Sequence, residues 1–372
     1  MQPSEKINAY TQIVCNQIRW KKAKPPIAQE IENHLWEQRD AYIAQGYTEL
    51  AATDKAILQM GNAEEIGLRL DGTHRPKSQW ALLILTGFLM LLGVFTNYFF
   101  CFYTDTLNAF EFFPYVIAFA IFLACYFMDF SLLGKYALLI YFGVLLFSTA
   151  GILGNVTVNG RLYWSVGFFS VSASYLALVF PFVYALFVYT LRKKGLWGIF
   201  LCEMGYLPFA LLLVMLPSLS GLVLYTSAAL AILCFSIYKG LFRINKAYGF
   251  LAVLIPFFTV FFIFAALIMP YASTRISVFL NPNQDPYGSG YQFFLLRNAF
   301  LNATLLKSES AGNLFVIPSG ISSNYSLAFL IQKTGLIILW TVIAFVLIFA
   351  ALGLYKTLKQ KSALGMLTAL AV

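Results

Sequence analysis

The chain has 372 residues, of which 60% are hydrophobic and only 11% charged, and it carries a net charge of +9. Soluble domains hold roughly a quarter charged residues, so this composition excludes a soluble globular enzyme and predicts an integral membrane protein with the lipid bilayer as its solvent. The positive balance is read as basic residues gathered on the cytoplasmic side of a membrane, with no nucleic-acid partner implied.

Residues 1–77 hold much of the charge and read as a small soluble helical domain. In "PPIAQEIENHLWEQRDAYIAQG", Pro26 stands in a first turn, Ile27, Ile31, Leu35 and Tyr42 share one face, and Gly46 marks the stop. Further on, Asn62 is placed as an N-cap with Glu65 three residues later, a capping box opening a last short helix that ends near Gly72. The starting segment "MQPSEKINAY" has no apolar core, so no cleavable signal peptide is expected.

Apolar runs of about 20 residues, long enough to cross a hydrocarbon core as helices, recur from Trp80 onward. Spans are predicted at residues 80–102, 109–128, 135–154, 166–191, 196–217, 219–240, 250–270 and 326–355, with a partial ninth from Ser362 that is too short to cross. The expected fold is all-α: a polytopic membrane helical bundle of about eight spans plus that partial ninth, preceded by the soluble helical domain. Lys135, Arg192 to Lys194, Lys239, Arg243, Lys246 and Lys356 to Lys361 fall on one side, against Arg161, Arg275, Arg297 and Lys307 on the other. That asymmetry predicts a cytoplasmic N-terminus and an extracytoplasmic loop over residues 271–325.

Chemistry-bearing residues are few. The five cysteines are scattered without CxxC spacing, the two histidines are His34 and His74, and no phosphate-binding glycine pattern is present, so neither a metal nor a cofactor is expected. In the large loop, Asp285 and Glu309 are the acids within reach of a reacting atom outside the membrane. Asp285 precedes Pro286, with Gly288 and Gly290 close by, which is equally the chemistry of a turn. Glu203 and Lys333 fall inside predicted spans, where charge is costly enough to suggest function, although each could pair or reach the interface.

The stretch "RISVFLNPNQDPYGSGYQ", Arg275 to Gln292, resembles the R-I-x-x-F-L-D-P-x-x-D-P-x-G-x-G-Y-Q segment of the SEDS family, the RodA/FtsW/SpoVE proteins of cell shape, division and sporulation. Two further features are similar to that family, namely "NGRLYW" at Asn159 to Trp164 and the helix count up to the ninth span. The soluble head resembles a permease-prefix domain found ahead of some bacterial membrane proteins. The resemblance implies a bacterial cytoplasmic membrane, a lipid-linked cell-wall precursor (lipid II) as substrate, a class B penicillin-binding protein as partner, and a substrate or partner loop holding Arg275, Asp285, Gly288, Gly290, Tyr291 and Gln292.

It also implies a catalytic aspartate just before the eighth span. Here that place falls on Asn324, or on Ser323 if the gap is set differently, and neither side chain can act as a carboxylate base. The family's glutamate in Q-P-S-E is missing from Ser170 to Ala173, and its aspartate in P-D-L-G is missing from Pro217 to Ser220. The leading expectation is therefore a divergent member acting as a non-catalytic scaffold or regulator of cell-wall growth or division. A peptidoglycan glycosyltransferase using Asp285 or Glu309, and a lipid or solute transporter using Glu203 and Lys333, are the alternatives.

Overall fold

The computed structural model of the chain describes residues 2–21, 23–74, 80–103, 112–128, 130–153, 156–158, 161–166, 169–216, 218–281, 283, 285, 290–301, 303–305, 328, 330–331, 334–360 and 362–371. These fall into two compact units, Met1–Trp80 and Ala81–Val372.

The first unit holds four helices: α1 (Pro3–Gln17), α2 (Lys24–Ala44), α3 (Glu49–Met60) and α4 (Ala63–His74). Ile7, Tyr10 and Val14 of α1, one turn apart in series, meet Ile27, Ile31 and Leu35 of α2 and Ala56 of α3 in a core that excludes water. The predicted face of α2 is thus the buried one, with Tyr42 half-buried at its edge. Gly46 ends α2 at φ +91°, its N–H bonding to the Ile43 carbonyl, a left-handed stop that glycine adopts without penalty. Asn62 caps α4 through its Oδ1, which accepts the Glu64 N–H at 2.9 Å. Glu65 turns the other way and pairs with Arg69 one turn along, so among the described contacts the second half of the expected capping box is not made. Tyr10 donates to the Gly61 carbonyl at 3.0 Å, and burial pushes its phenol above the usual range, keeping it a neutral donor.

Asp71 of α4 is 8% exposed and accepts the backbone N–H of Arg19 at 2.8 Å, fastening the α1–α2 loop to the last helix of the unit. Removing a buried charged acceptor costs about 1.5–3 kcal/mol. Asp71→Ala is expected to lose about that much, read as faster hydrogen exchange across residues 18–23 with α5 onward unaffected.

The second unit contains α5 (Trp80–Tyr103), α6 (Phe113–Phe127), α7 (Ser131–Lys135), α8 (Ala137–Leu153), α9 (Leu176–Leu191), α10 (Gly195–Met215), α11 (Leu219–Tyr238), α12 (Lys246–Leu280), α13 (Tyr291–Leu301), α14 (Ile337–Lys359) and α15 (Ala363–Ala371). Five of these, α5, α10, α11, α12 and α14, are long and apolar enough to cross a membrane, and α6, α8 and α9 are shorter apolar helices. Each of the eight predicted spans therefore has an apolar helix. The core is built from α8 to α12 together with α15. By contrast α14 buries only Thr357 and turns Trp340 and Leu347 outward, as a lipid-facing helix does.

Three predicted boundaries move. The fourth span does not begin at residue 166: Val156–Val158, Arg161–Val166 and Phe169–Ser172 form a three-stranded antiparallel meander (β1, β2, β3), and α9 starts at Leu176. Val158 pairs with Arg161 and Val166 with Phe169. The sequence between each pair is Asn159-Gly160 and Gly167-Phe168, two-residue combinations that favour hairpin turns. A short apolar, aromatic run does not distinguish strand from helix by periodicity, which is why these residues read as part of a span.

The loop expected over 271–325 is helical at its start, because α12 continues to Leu280. At 35 residues, α12 runs about 52 Å, well beyond a hydrocarbon core of roughly 30 Å. In the eighth span the long helix begins at Ile337 rather than 326. The partial ninth span is a helix packed into the bundle. Leu364, Met366 and Leu367 of α15 are buried, Met366 and Leu367 in the bundle core and Leu364 beside Leu186 of α9, against which α15 packs.

Candidate functional site

Two places in the second unit gather polar groups. The first is one turn in the middle of α10. Pro208 lies inside this helix, and proline supplies no N–H to the carbonyl four residues before it, so the turn ahead of it is loosened. Three neighbouring helices send tyrosines to that turn. Tyr141 of α8 donates to the Gly205 carbonyl at 2.7 Å, Tyr184 of α9 to the Cys202 carbonyl at 3.2 Å, and Tyr225 of α11 to the Tyr206 carbonyl at 3.4 Å. Tyr206 itself shares a 2.6 Å hydrogen bond with Thr226. All four phenols are buried to 2% exposure or less. In hydrocarbon, backbone polar groups must find partners within the protein; the three phenols bond carbonyls on either side of Met204, the residue whose carbonyl Pro208 cannot serve, and so tie the turn to α8, α9 and α11.

The rings fit as closely as the hydroxyls. Tyr206 stacks on Tyr225 with centroids 5.1 Å apart, and Tyr141 stacks on Phe187 at 4.4 Å. Phe187 occupies the room left by Gly205, where an added Cβ would stand 2.3 Å from the Phe187 ring. Glu203 lies on the same turn, half-buried, and its Oε1 is shielded from water with no hydrogen-bond partner among the described residues. Most buried polar atoms are paired, so an unpaired carboxylate oxygen at mid-span marks a functional candidate.

The second place is the turn after α12. α12 ends at Leu280 and α13 begins at Tyr291; between them Asn281, Asn283, Asp285 and Gly290 are described. The backbone N–H of Gly290 reaches the Asp285 carbonyl at 3.1 Å, and the Gly290 carbonyl accepts from Phe294 at 2.9 Å, starting α13. Phe279 and Phe293 meet edge to face at 5.4 Å across the turn. Gly290 is buried, while Asp285 and Tyr291 are half-buried. The closing bond uses the Asp285 main chain, one that any residue can make, so the turn's closure does not by itself explain a carboxylate there.

Further along, Thr304 and Leu305 are clasped by the start of α14: the N–H groups of Leu336 and Ile337 bond to their carbonyls at 2.9 and 3.1 Å. Gly335 makes this possible. It sits at φ +93°, and a Cβ there would lie 2.8 Å from the Thr304 carbonyl oxygen and 2.9 Å from that of Leu305. Gly335→Ala is expected to cost about 1–3 kcal/mol from backbone strain alone, and to release this clasp, seen as faster limited proteolysis near residue 305.

Of the residues singled out from sequence, Asp285, Gly290 and Tyr291 fall together on one turn, and Glu203 falls on α10. Arg275 belongs to α12 and Gln292 to α13, but their side chains, like all of Gly288, Glu309, Asn324 and Lys333, lie outside the described residues. The buried tyrosines were not anticipated. A signal existed in the pairing of a mid-span proline with tyrosines in three other apolar runs.

The FtsW/RodA/SpoVE model, described as a cell cycle protein, matches residues 74–372. The chain belongs to this family. It is 31% identical over 148 residues to the curated "Probable peptidoglycan glycosyltransferase FtsW" of Wigglesworthia glossinidia brevipalpis, a match that covers 38% of this chain and 36% of that relative's length. A solved structure described as "Structural coordination of polymerization and crosslinking by a peptidoglycan synthase complex" has a TM-score of 0.53 at 14% identity, covering 79% of this chain and 82% of that one. That likeness concerns the fold. The matched region of the FtsW/RodA/SpoVE family begins at the end of α4, so it takes in the whole helical bundle, the tyrosine-bound turn of α10 and the Asp285 turn. As a family member, the protein is a multi-pass membrane protein.

Proposed function

We propose that this protein serves peptidoglycan synthesis in a bacterial cytoplasmic membrane as a non-catalytic scaffold or regulator. The observation that carries the reading is the amide at Asn324, or the hydroxyl at Ser323, where the family resemblance places a catalytic aspartate. General bases must be titratable near the working pH, and neither group is. The glutamate and aspartate missing from Ser170 to Ala173 and Pro217 to Ser220 support the same conclusion.

The orientation that fits has the N-terminal unit in the cytoplasm. Arg192, Lys193 and Lys194 stand in the turn between α9 and α10, Lys239 and Arg243 stand between α11 and α12, and Lys356 and Lys359 lie in the last turn of α14. Basic residues at these ends of alternate spans follow the cytoplasmic bias of membrane proteins. The Asp285 turn and α13 then face the opposite side, where a lipid-linked cell-wall precursor or a class B penicillin-binding protein would meet them.

A second reading, a working peptidoglycan glycosyltransferase, draws on the name carried by the FtsW relative. Incubating purified full-length protein with lipid II and a candidate penicillin-binding partner separates the two. The scaffold reading expects no glycan from this chain, recovery of the partner by crosslinking, and complementation that survives Asp285→Ala. Glycan made by wild-type protein and abolished by Asp285→Ala would establish the enzyme instead.

A further inference from the structure

The first unit carries a basic, aromatic turn that its fold holds out to solvent. Residues 6–29 contain no acidic side chain, and the sequence Arg19-Trp20-Lys21 stands between α1 and α2. Both ends of the loop are sunk into the core, with Ile18 1% and Ala23 4% exposed. Asp71 holds the Arg19 N–H, and the Ala23 N–H closes a turn on the Trp20 carbonyl at 3.0 Å. This ordered turn leaves the Trp20 side chain at its apex, 41% exposed, with the Arg19 side chain 73% exposed beside it and Lys21 also in solvent.

We propose that this turn is a membrane-surface anchor that docks the N-terminal unit on anionic phospholipid. An indole flanked by cations suits the boundary between headgroups and acyl chains, where the ring takes the apolar side and the N–H stays wet. Each basic residue brought to an anionic leaflet strengthens binding roughly fivefold. The occupant follows from the chain itself. Asp71, which fastens the turn, precedes the first apolar helix at Trp80 by nine residues, a length of chain that reaches at most about 30 Å. A lipid surface is thus always within reach, whereas a soluble acidic partner would have to be recruited. The patch is also local: Lys6 and Arg69 elsewhere on the unit are held close by Asp54 and Glu65, whereas Arg19 stays 3.9 Å from the Asp71 carboxylate with its side chain 73% exposed, and Lys21 has no ion pair among the described residues.

The test uses full-length protein in nanodiscs whose phosphatidylcholine is brominated near the headgroup, with or without about one third phosphatidylglycerol. Subtracting the emission of Trp20→Phe isolates residue 20 from the other tryptophans; the site is exposed, so this variant keeps the fold, which unchanged helicity verifies. The Trp20 component should be quenched in phosphatidylglycerol discs at low salt and lose at least half that quenching at about 0.5 M salt, as screening requires. Lys21→Glu should release it in the same discs. A Trp20 component that stays unquenched with phosphatidylglycerol, or that is quenched equally without it and at high salt, overturns the proposal. Emission unaffected by bromine but changed by added penicillin-binding partner would instead assign the turn to a protein contact.

Discussion

Wild-type protein supplied with lipid II is expected to leave it unpolymerised, and Asn324→Asp is expected to produce glycan strands. A positioned general base contributes about a hundred- to ten-thousand-fold to a proton-transfer step; with the family's acids also missing from Ser170 to Ala173 and Pro217 to Ser220, restoring the carboxylate should give the low end of that range, on the order of a hundredfold above the wild-type baseline. The readout is the length and yield of glycan on gels of labelled lipid II. The comparison with Ser323→Asp decides which of the two positions the catalytic aspartate occupied. Glycan made by wild-type protein in the same yield as by Asn324→Asp would end the scaffold reading, since the amide would then not be what prevents chemistry.

Opposite signs are expected at the middle of α10. Tyr141→Phe and Tyr225→Phe each remove a donor to the backbone beside Pro208, and each should cost about 0.5–1.5 kcal/mol. The double variant should deviate from the sum, because both hydroxyls act on one turn. Glu203→Leu should move stability the other way by about 1–3 kcal/mol, the cost of holding a buried polar oxygen without a partner. Thermal unfolding in detergent measures all four variants. A Glu203→Leu variant that is less stable would show the carboxylate to be paired and structural. One that is more stable yet fails to complement would mark Glu203 as a functional residue kept at the expense of stability.

The family and the bundle were legible in the sequence because hydrophobic length is a one-dimensional property. A run such as Trp80 to Tyr103 has to cross or be buried whatever surrounds it. The motif from Arg275 to Gln292 was legible for a similar reason, since turn residues act on their own backbone. Its form was less so. The ends of that motif proved to belong to α12, which runs to Leu280, and to α13, which starts at Tyr291, so part of the expected loop is helical. The meander over residues 156–172 was missed although its Asn-Gly and Gly-Phe pairs were visible, because aromatic and β-branched residues satisfy a helical span and a strand equally well.

The sequence by itself determined the membrane character, the eight apolar helices, the self-contained core face of α2, and the identity of the side chains at 203, 285 and 324. Tertiary structure alone decided that α15 packs into the bundle, that Gly335 must be glycine because two carbonyls close over it, and that tyrosines from α8, α9 and α11 converge on one loosened turn. The reason is the range of the interactions. Apolar burial in a lipid solvent is set by each segment's own length, whereas a hydrogen bond between Tyr141 and Gly205 needs partners 64 residues apart to arrive within 3 Å, and no local pattern encodes that meeting.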